Sequence, residues 1–214
     1  ELGTARGPLT AELEAQGAAP FPIPIGGSTP TGAVGYALAF VEMIEQFDAR
    51  GIAPAAIVHT SSSGGTHAGL LAGRAALRAQ GREVPEILAI GVAKGVNLGR
   101  PDIAGLAADV LDLMGLDRSL VERADVHVDP SWMGDDYGIP TRAGDAAIRW
   151  AARNGGWVLD RVYSGKGLAG LVGAAEAGRW PAGSDVVVPA TGGHPAGFAP
   201  GGPPPGAAGG LAVR

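Results

Sequence analysis

One arrangement recurs along this chain and limits its fold more than any other feature. A short, almost wholly apolar run is followed by a segment whose apolar residues return at helical spacing. "PFPIPIGG" (Pro20 to Gly27) reads as a strand ending in a glycine turn, and the helical spacing from Val34 to Phe47 follows it. "AAIVHT" runs into "THAGLLAGRAALRAQG", and "EILAIGVA" into "DIAGLAADVLDLMGL". "ADVHVD" precedes "AGDAAIRWAARNGG", "WVLDRVYSG" precedes the helical "KGLAGLVGAAEAG", and "SDVVVPATGG" supplies a last strand. Strands this continuous in apolar residues are buried on both faces, which requires a parallel sheet covered by helices. Five or six such alternations predict an α/β fold with an open, doubly wound, mainly parallel sheet. The 214 residues, 46% of them hydrophobic, suffice for one sizeable core or two small ones.

Charge and composition narrow the function. The net charge is -5, the 16 basic residues include only two lysines, Lys94 and Lys166, and no basic block occurs, so nucleic acid is not an expected partner. The absence of cysteine excludes disulfides and thiolate metal sites. His59, His67, His127 and His194 have no ligand spacing, so no metal is expected, and His67 reads as part of a helix's first turn. No apolar run reaches the ~18 residues of a membrane span, so a cytoplasmic protein without membrane partners is expected. "ELGTARGPLTAELEAQG" starts at Glu1 in what looks like mid-helix, as in the later part of a longer protein. From Pro195 periodicity disappears, giving an expected globular domain over 1–195 and a disordered Gly/Pro-rich tail over 196–214.

"VHTSSSGGTHAGLLAG" (Val58 to Gly73) carries the chemistry. Ligands in open α/β sheets sit beyond the carboxyl ends of the strands, where the next helix offers unpaired, partly positive amides. Ser61, Ser62 and Ser63 can donate hydroxyls, Gly64 and Gly65 allow close backbone approach, and Thr66 can cap the helix or donate to a phosphate oxygen. The stretch is neither a P-loop nor the dinucleotide fingerprint, and a phosphate monoester suits it. The other reading is a tight turn with Ser63 or Thr66 as N-cap. "IGGSTPTG" (Ile25 to Gly32) has the same strand-to-helix placement and could bind ligand or only pack.

Five stretches in order carry a resemblance: Ile23 to Gln46, "SSSGGTHAG" (Ser61 to Gly69), "GDDYGIPT" (Gly134 to Thr141), "LDRVYSGKGLAGL" (Leu159 to Leu171) and "TGGHPAGFA" (Thr191 to Ala199). They resemble the pyridoxal-phosphate-dependent D-cysteine desulfhydrase and 1-aminocyclopropane-1-carboxylate (ACC) deaminase family, of the tryptophan-synthase-β-like fold. The resemblance implies pyridoxal 5'-phosphate as cofactor, with Ser62, Ser63, Gly64, Gly65 and Thr66 around its phosphate. Ser164 is implied to face the pyridine nitrogen, with Thr191 also at the cofactor. A hydroxyl at Ser164 leaves the ring nearly neutral and suits β-elimination, so Ser164 with Thr191 favours D-cysteine over ACC as substrate. Tyr137 and Tyr163 match phenols placed near the substrate and are the candidate catalytic residues, a role in which tyrosine needs a tuned pKa.

A small amino acid and a homodimer are the implied partners. The family's Schiff-base lysine lies in an Asn-Lys segment that this sequence does not contain, and Lys94 and Lys166 match other positions. Ala190 also stands where the family often has histidine. The chain therefore reads as the C-terminal part of such a lyase. ACC deaminase, another enzyme of the family, a non-catalytic domain binding a phosphorylated ligand, or an inactive truncated product are the alternatives.

Overall fold

The protein is described by a computed structural model over residues 2–192. Its core is a parallel sheet of four strands: β1 (Ala56–Ser61), β2 (Glu86–Gly91), β3 (Val128–Asp129) and β4 (Val186–Val187), in the order β3-β2-β1-β4. β1 pairs with β2 from Ala56 opposite Glu86 to Ser61 opposite Gly91, and with β4 through Ala56 and Ile57. The chain steps outward from β1 to β2 to β3 and then crosses back to add β4 on the other side of β1. Strand order thus reverses between β1 and β4. In open α/β sheets that reversal opens a crevice beyond the strand ends.

Helices cover both faces, as the double winding requires. α2 (Pro30–Arg50), α3 (Gly65–Ala79) and α5 (Ile103–Leu113) pack Phe40, Leu70, Leu71, Val110 and Leu111 around Ile57 and Ile87. On the opposite face Ala56, Val58, Leu88 and Ile90 meet α7 (Ser164–Glu176), which α6 (Arg142–Gly155) backs. The alternation of Ile57 with Ala56 and Val58 between the two layers is the period-two pleat of a strand buried on both sides. α1 (Leu2–Ala15) precedes this unit, and the short α4 (Lys94–Asn97) follows β2.

Three glycines at a spacing of three make α7 flat where it meets the sheet. A Cβ on Gly167 would collide with the Thr60 hydroxyl, one on Gly170 would lie 2.6 Å from the Ile90 side chain, and one on Gly173 would collide with Trp132. Residues three apart share a helix face, so the bare stripe lets the backbone of α7 rest directly on β1 and β2.

The structure corrects three strand assignments. Pro20 to Gly27 is irregular and ends in a single 3-10 turn over Ile25–Gly27, not a strand. Pro20, Pro22 and Pro24 remove every second N–H, so one edge of the segment has nothing to donate to a ladder. Phe21, Ile23 and Ile25 consequently stay largely exposed. In "ADVHVD" only Val128 and Asp129 pair, because Arg123–Asp125 closes into a 3-10 turn. "SDVVVPATGG" contributes only Val186 and Val187. The sheet therefore has four strands among the described residues, fewer than the expected alternations. The expected tail at 196–214 and His194 lie outside those residues. No helix among them is long and apolar enough to cross a membrane.

Candidate active site

β1 ends at Ser61, and Ser62, Ser63 and Gly64 carry the chain into α3. Gly64 adopts φ 88°, a left-handed conformation that suits only glycine here, and it is the N-cap, with no side chain bonding the first turn. Neither Ser63 nor Thr66 caps the helix, so the capping alternative does not hold and the first-turn amides keep their donors. The second glycine turn packs against this loop: Ser28 Oγ donates to Ser63 Oγ at 2.9 Å. A Cβ on Gly65 would stand 2.7 Å from Ser28 Oγ, and one on Gly26 would collide with Ser63. Ser63 accepts from Ser28 and retains its own proton to donate. Bare amides, a hydroxyl donor and the positive end of a fifteen-residue helix are the groups that can accept an anion.

Next to this loop lies a cavity of about 500 Å³, lined by Thr60, Tyr163, Ser164, Leu168, Val186 and Thr191 among others. It occupies the crevice where strand order reverses between β1 and β4. Its volume lies within the ~300–1,000 Å³ usual for small-molecule sites. Three of the expected site residues, Tyr163, Ser164 and Thr191, meet in it. Thr60 belongs to it as well; Ser62 to Thr66 do not line it and begin two residues farther along the same chain, past the carboxyl end of β1.

Asp160 organises the start of α7. It is 1% exposed, and its carboxylate accepts from the amides of Val162 and Tyr163, each at 2.7 Å, from the amide of Ser164 at 2.9 Å and from Ser164 Oγ at 2.6 Å. Burial alone would push this carboxyl up, but the donors, led by Ser164, bring it below the ordinary carboxylate value. Ser164 Oγ in turn accepts from the Asp160 amide at 2.8 Å. The hydroxyl's only proton is therefore directed at Asp160.

The Tyr163 hydroxyl donates to the Thr60 carbonyl at 2.7 Å and lies 3.4 Å from Thr191 Oγ1. Burial raises the phenol's pKa, the Thr191 hydroxyl opposes that, and the nearby Tyr36, Tyr137 and Asp160 add to the rise. At neutral pH Tyr163 is a protonated phenol that ties α7 to β1.

Tyr137 stands apart from the cavity lining, in the loop that joins β3 to α6, and is 41% exposed. Burial raises its phenol's pKa and the charge of Asp160 raises it further, so it sits within electrostatic reach of the site. Both lysines hold this loop. Lys166 is 0% exposed, and its Nζ donates to the carbonyls of Met133 at 2.7 Å, Asp136 at 2.9 Å and Tyr137 at 3.1 Å. Lys94 Nζ pairs with Asp136 Oδ2 at 2.7 Å near the surface. Each amine has a partner, and neither lines the cavity.

Beneath the loop, His59 on β1 and His67 in the first turn of α3 stack edge to face with centroids 5.0 Å apart, both buried. Burial lowers His59 to about 4, against a weaker upward pull from the Thr60 carbonyl, and lowers His67 well below its ordinary value. Both rings are neutral at neutral pH and support the loop from below.

Sequence reasoning missed Asp160, Thr60 and Ser28. For Asp160 the signal was present: an Asp four residues before a Ser that opens a glycine-rich helix can collect the helix's free amides. Thr60 and Ser28 became visible only when the chain brought α7 and the second turn against β1.

Residues 3–192 match the family described as pyridoxal-phosphate-dependent enzyme. A D-cysteine desulfhydrase of Salmonella typhi is 32% identical over 191 residues, 89% of this chain and 56% of that protein. Another, of Serratia proteamaculans (strain 568), is 34% identical over the same shares. A crystal structure described as that of an ACC deaminase homologue superposes with a TM-score of 0.74 at 28% identity, over 92% of this chain and 55% of that one. The chain spans about half the length of the curated relatives it matches.

Proposed function

Because the chain belongs to the family of pyridoxal-phosphate-dependent enzymes, we propose that it forms the phosphate- and ring-binding part of the site in a lyase of D-cysteine desulfhydrase type. The whole protein would convert D-cysteine to pyruvate, hydrogen sulfide and ammonia in the cytoplasm, as a homodimer. The observation that supports this most is the meeting of Ser164, Tyr163 and Thr191 with Thr60 in one cavity at the reversal point of the sheet, with the uncapped loop following Thr60 on the same chain. Pyridoxal 5'-phosphate supplies an electron sink for the bond broken at the substrate's α-carbon.

The protein's own residues supply the rest. The amides of Gly65 and Thr66 and the hydroxyls of Ser62, Ser63 and Thr66 would hold the ester through the helix end and short donors. Ser164 would face the ring nitrogen and would turn its proton there from Asp160. The cost is one charge-assisted hydrogen bond, because Asp160 keeps the amides of Val162, Tyr163 and Ser164. Thr191 and Tyr163 close the side of the cavity facing β1. Tyr137, partly exposed, orients or passes a proton at the substrate.

The lysine geometry favours a second reading for this chain alone, as a domain that holds the ligand without catalysis. Both of its lysines are engaged at the Tyr137 loop, and a covalent link to the cofactor needs a free amine within reach of the aldehyde carbon. Two measurements separate the readings. Pyridoxal 5'-phosphate should bind this chain more tightly than pyridoxal does, and Ser63→Ala should narrow that difference. Borohydride reduction followed by peptide mapping should leave Lys94 and Lys166 unlabelled; label on either assigns catalysis to this chain. For the whole protein, sulfide from D-cysteine without oxobutyrate from ACC supports the desulfhydrase reading, and the reverse makes it an ACC deaminase.

A further inference from the structure

Lys166 combines three facts that neither packing nor catalysis explains. It is completely buried, it directly pairs with no carboxylate among the described residues, and its three ammonium protons meet three backbone carbonyls, all from residues 133–137. A buried ammonium is costly unless each proton is satisfied, and an apolar side chain would fill the same volume without that cost. The arrangement gains geometry instead. Lys166 lies two residues after Ser164 and three after Tyr163 on α7, so one turn of helix holds both the cavity wall and the cradle. The cradle's far side is the loop that carries Tyr137, and Lys94 grips the same loop from outside through Asp136.

We propose that Lys166 is a positioning residue, an internal cation that fixes the 133–137 loop to α7 and so sets Tyr137 relative to Tyr163 and Ser164. The proposal rests on the reading of Tyr137 as a site residue, but the fixing of the loop can be tested without cofactor or substrate. The ammonium acts through its charge and its three donors, and the methylene stem only delivers it.

The test begins with the unaltered chain. Lys94 and Lys166 are its only lysines, so a 15N-lysine sample gives two Nζ signals to assign. The Lys166 Nζ protons should exchange with water far more slowly than those of Lys94; equal rates would overturn the proposal. Lys166→Met then keeps the stem and removes the cation. The hydrogen-bonded amides of Tyr137 and Ile139 should lose protection by roughly tenfold or more while those of β1 and β2 keep theirs, and the Tyr137 phenol should titrate closer to an ordinary tyrosine. In Lys166→Ala, ammonium chloride should restore protection of the loop and tetramethylammonium chloride, which has no N–H, should not. Unchanged loop protection in Lys166→Met, or equal rescue by both salts, would overturn the proposal. None of these readouts uses pyridoxal phosphate, so failure of the proposed cofactor reading would register only in the binding comparison with pyridoxal.

Discussion

Asp160 concentrates more hydrogen bonding than any other carboxylate described in the site, and its loss should be correspondingly expensive. Asp160→Ala leaves the amides of Val162 and Tyr163 and the Ser164 hydroxyl without their acceptor in a buried place. A loss of about 3 kcal/mol is expected, seen as a lower urea midpoint with an unchanged slope; a loss below about 1 kcal/mol would mean that water replaces the carboxylate. The histidine pair sets a different dependence. A histidine whose folded pKa is lowered contributes full stability above the unfolded pKa of 6.5, and that stability is lost as pH falls toward the folded value, here about 4 for His59. Between pH 7 and pH 5 His59 alone should remove roughly 2 kcal/mol, and a urea midpoint that stays flat over that range would contradict the burial of the pair. Asp160 acts in another window: its folded value lies below the ordinary 3.8, so its contribution is present above that value and is lost only under more acidic conditions.

The glycine stripe of α7 makes a prediction that helix propensity alone would reverse. Gly170→Ala brings a Cβ to 2.6 Å from Ile90 and should destabilise by about 2 kcal/mol, although alanine is the better helix former. Gly35→Ala in α2, where nothing lies within 4 Å, should stabilise by roughly 0.5–1 kcal/mol. Thermal melting of the two variants gives the comparison, and a shift of the same sign in both would refute the close approach of α7 to the sheet. The sequence was most legible at this scale where periodicity was long and capped. Thr29 accepts from the Gly32 amide, Pro30 follows, and Gly51 closes α2 at φ 65°, each readable in advance. The Ser-Ser-Ser-Gly-Gly loop was readable as a strand-to-helix junction because serines and glycines mark such turns. The two-residue β3 and β4 were not, because which of several valines pairs is decided by neighbouring strands, not by local preference. Pro20 to Gly27 was misread because its apolar residues alternate as in a strand, while the prolines between them remove the donors a strand needs.

At the scale of the whole molecule, two six-residue strands carry a sheet whose outer strands are two residues each. Hydrogen exchange should find the slowest amides in β1 and β2, with the edge pairing of β4 opening well before them; uniform protection across the sheet would contradict this division. The carboxyl end of β1 is also where the loop, Thr60 and the Tyr163 bond converge, so the most protected strand supports the residues proposed to hold the ligand. The cavity's position was legible from alternation alone, since doubly wound sheets open a crevice at the reversal of strand order. The roles of the two lysines were not, because a charged residue enclosed by backbone leaves no trace in hydropathy or spacing. Their arrangement has a practical side. With one lysine amine sealed inside the fold and the other open to solvent, an amine-directed fluorophore should attach to Lys94 before Lys166. It would sit on α4 beside Asp136, next to the tyrosine loop, as a local gauge of that loop's movement.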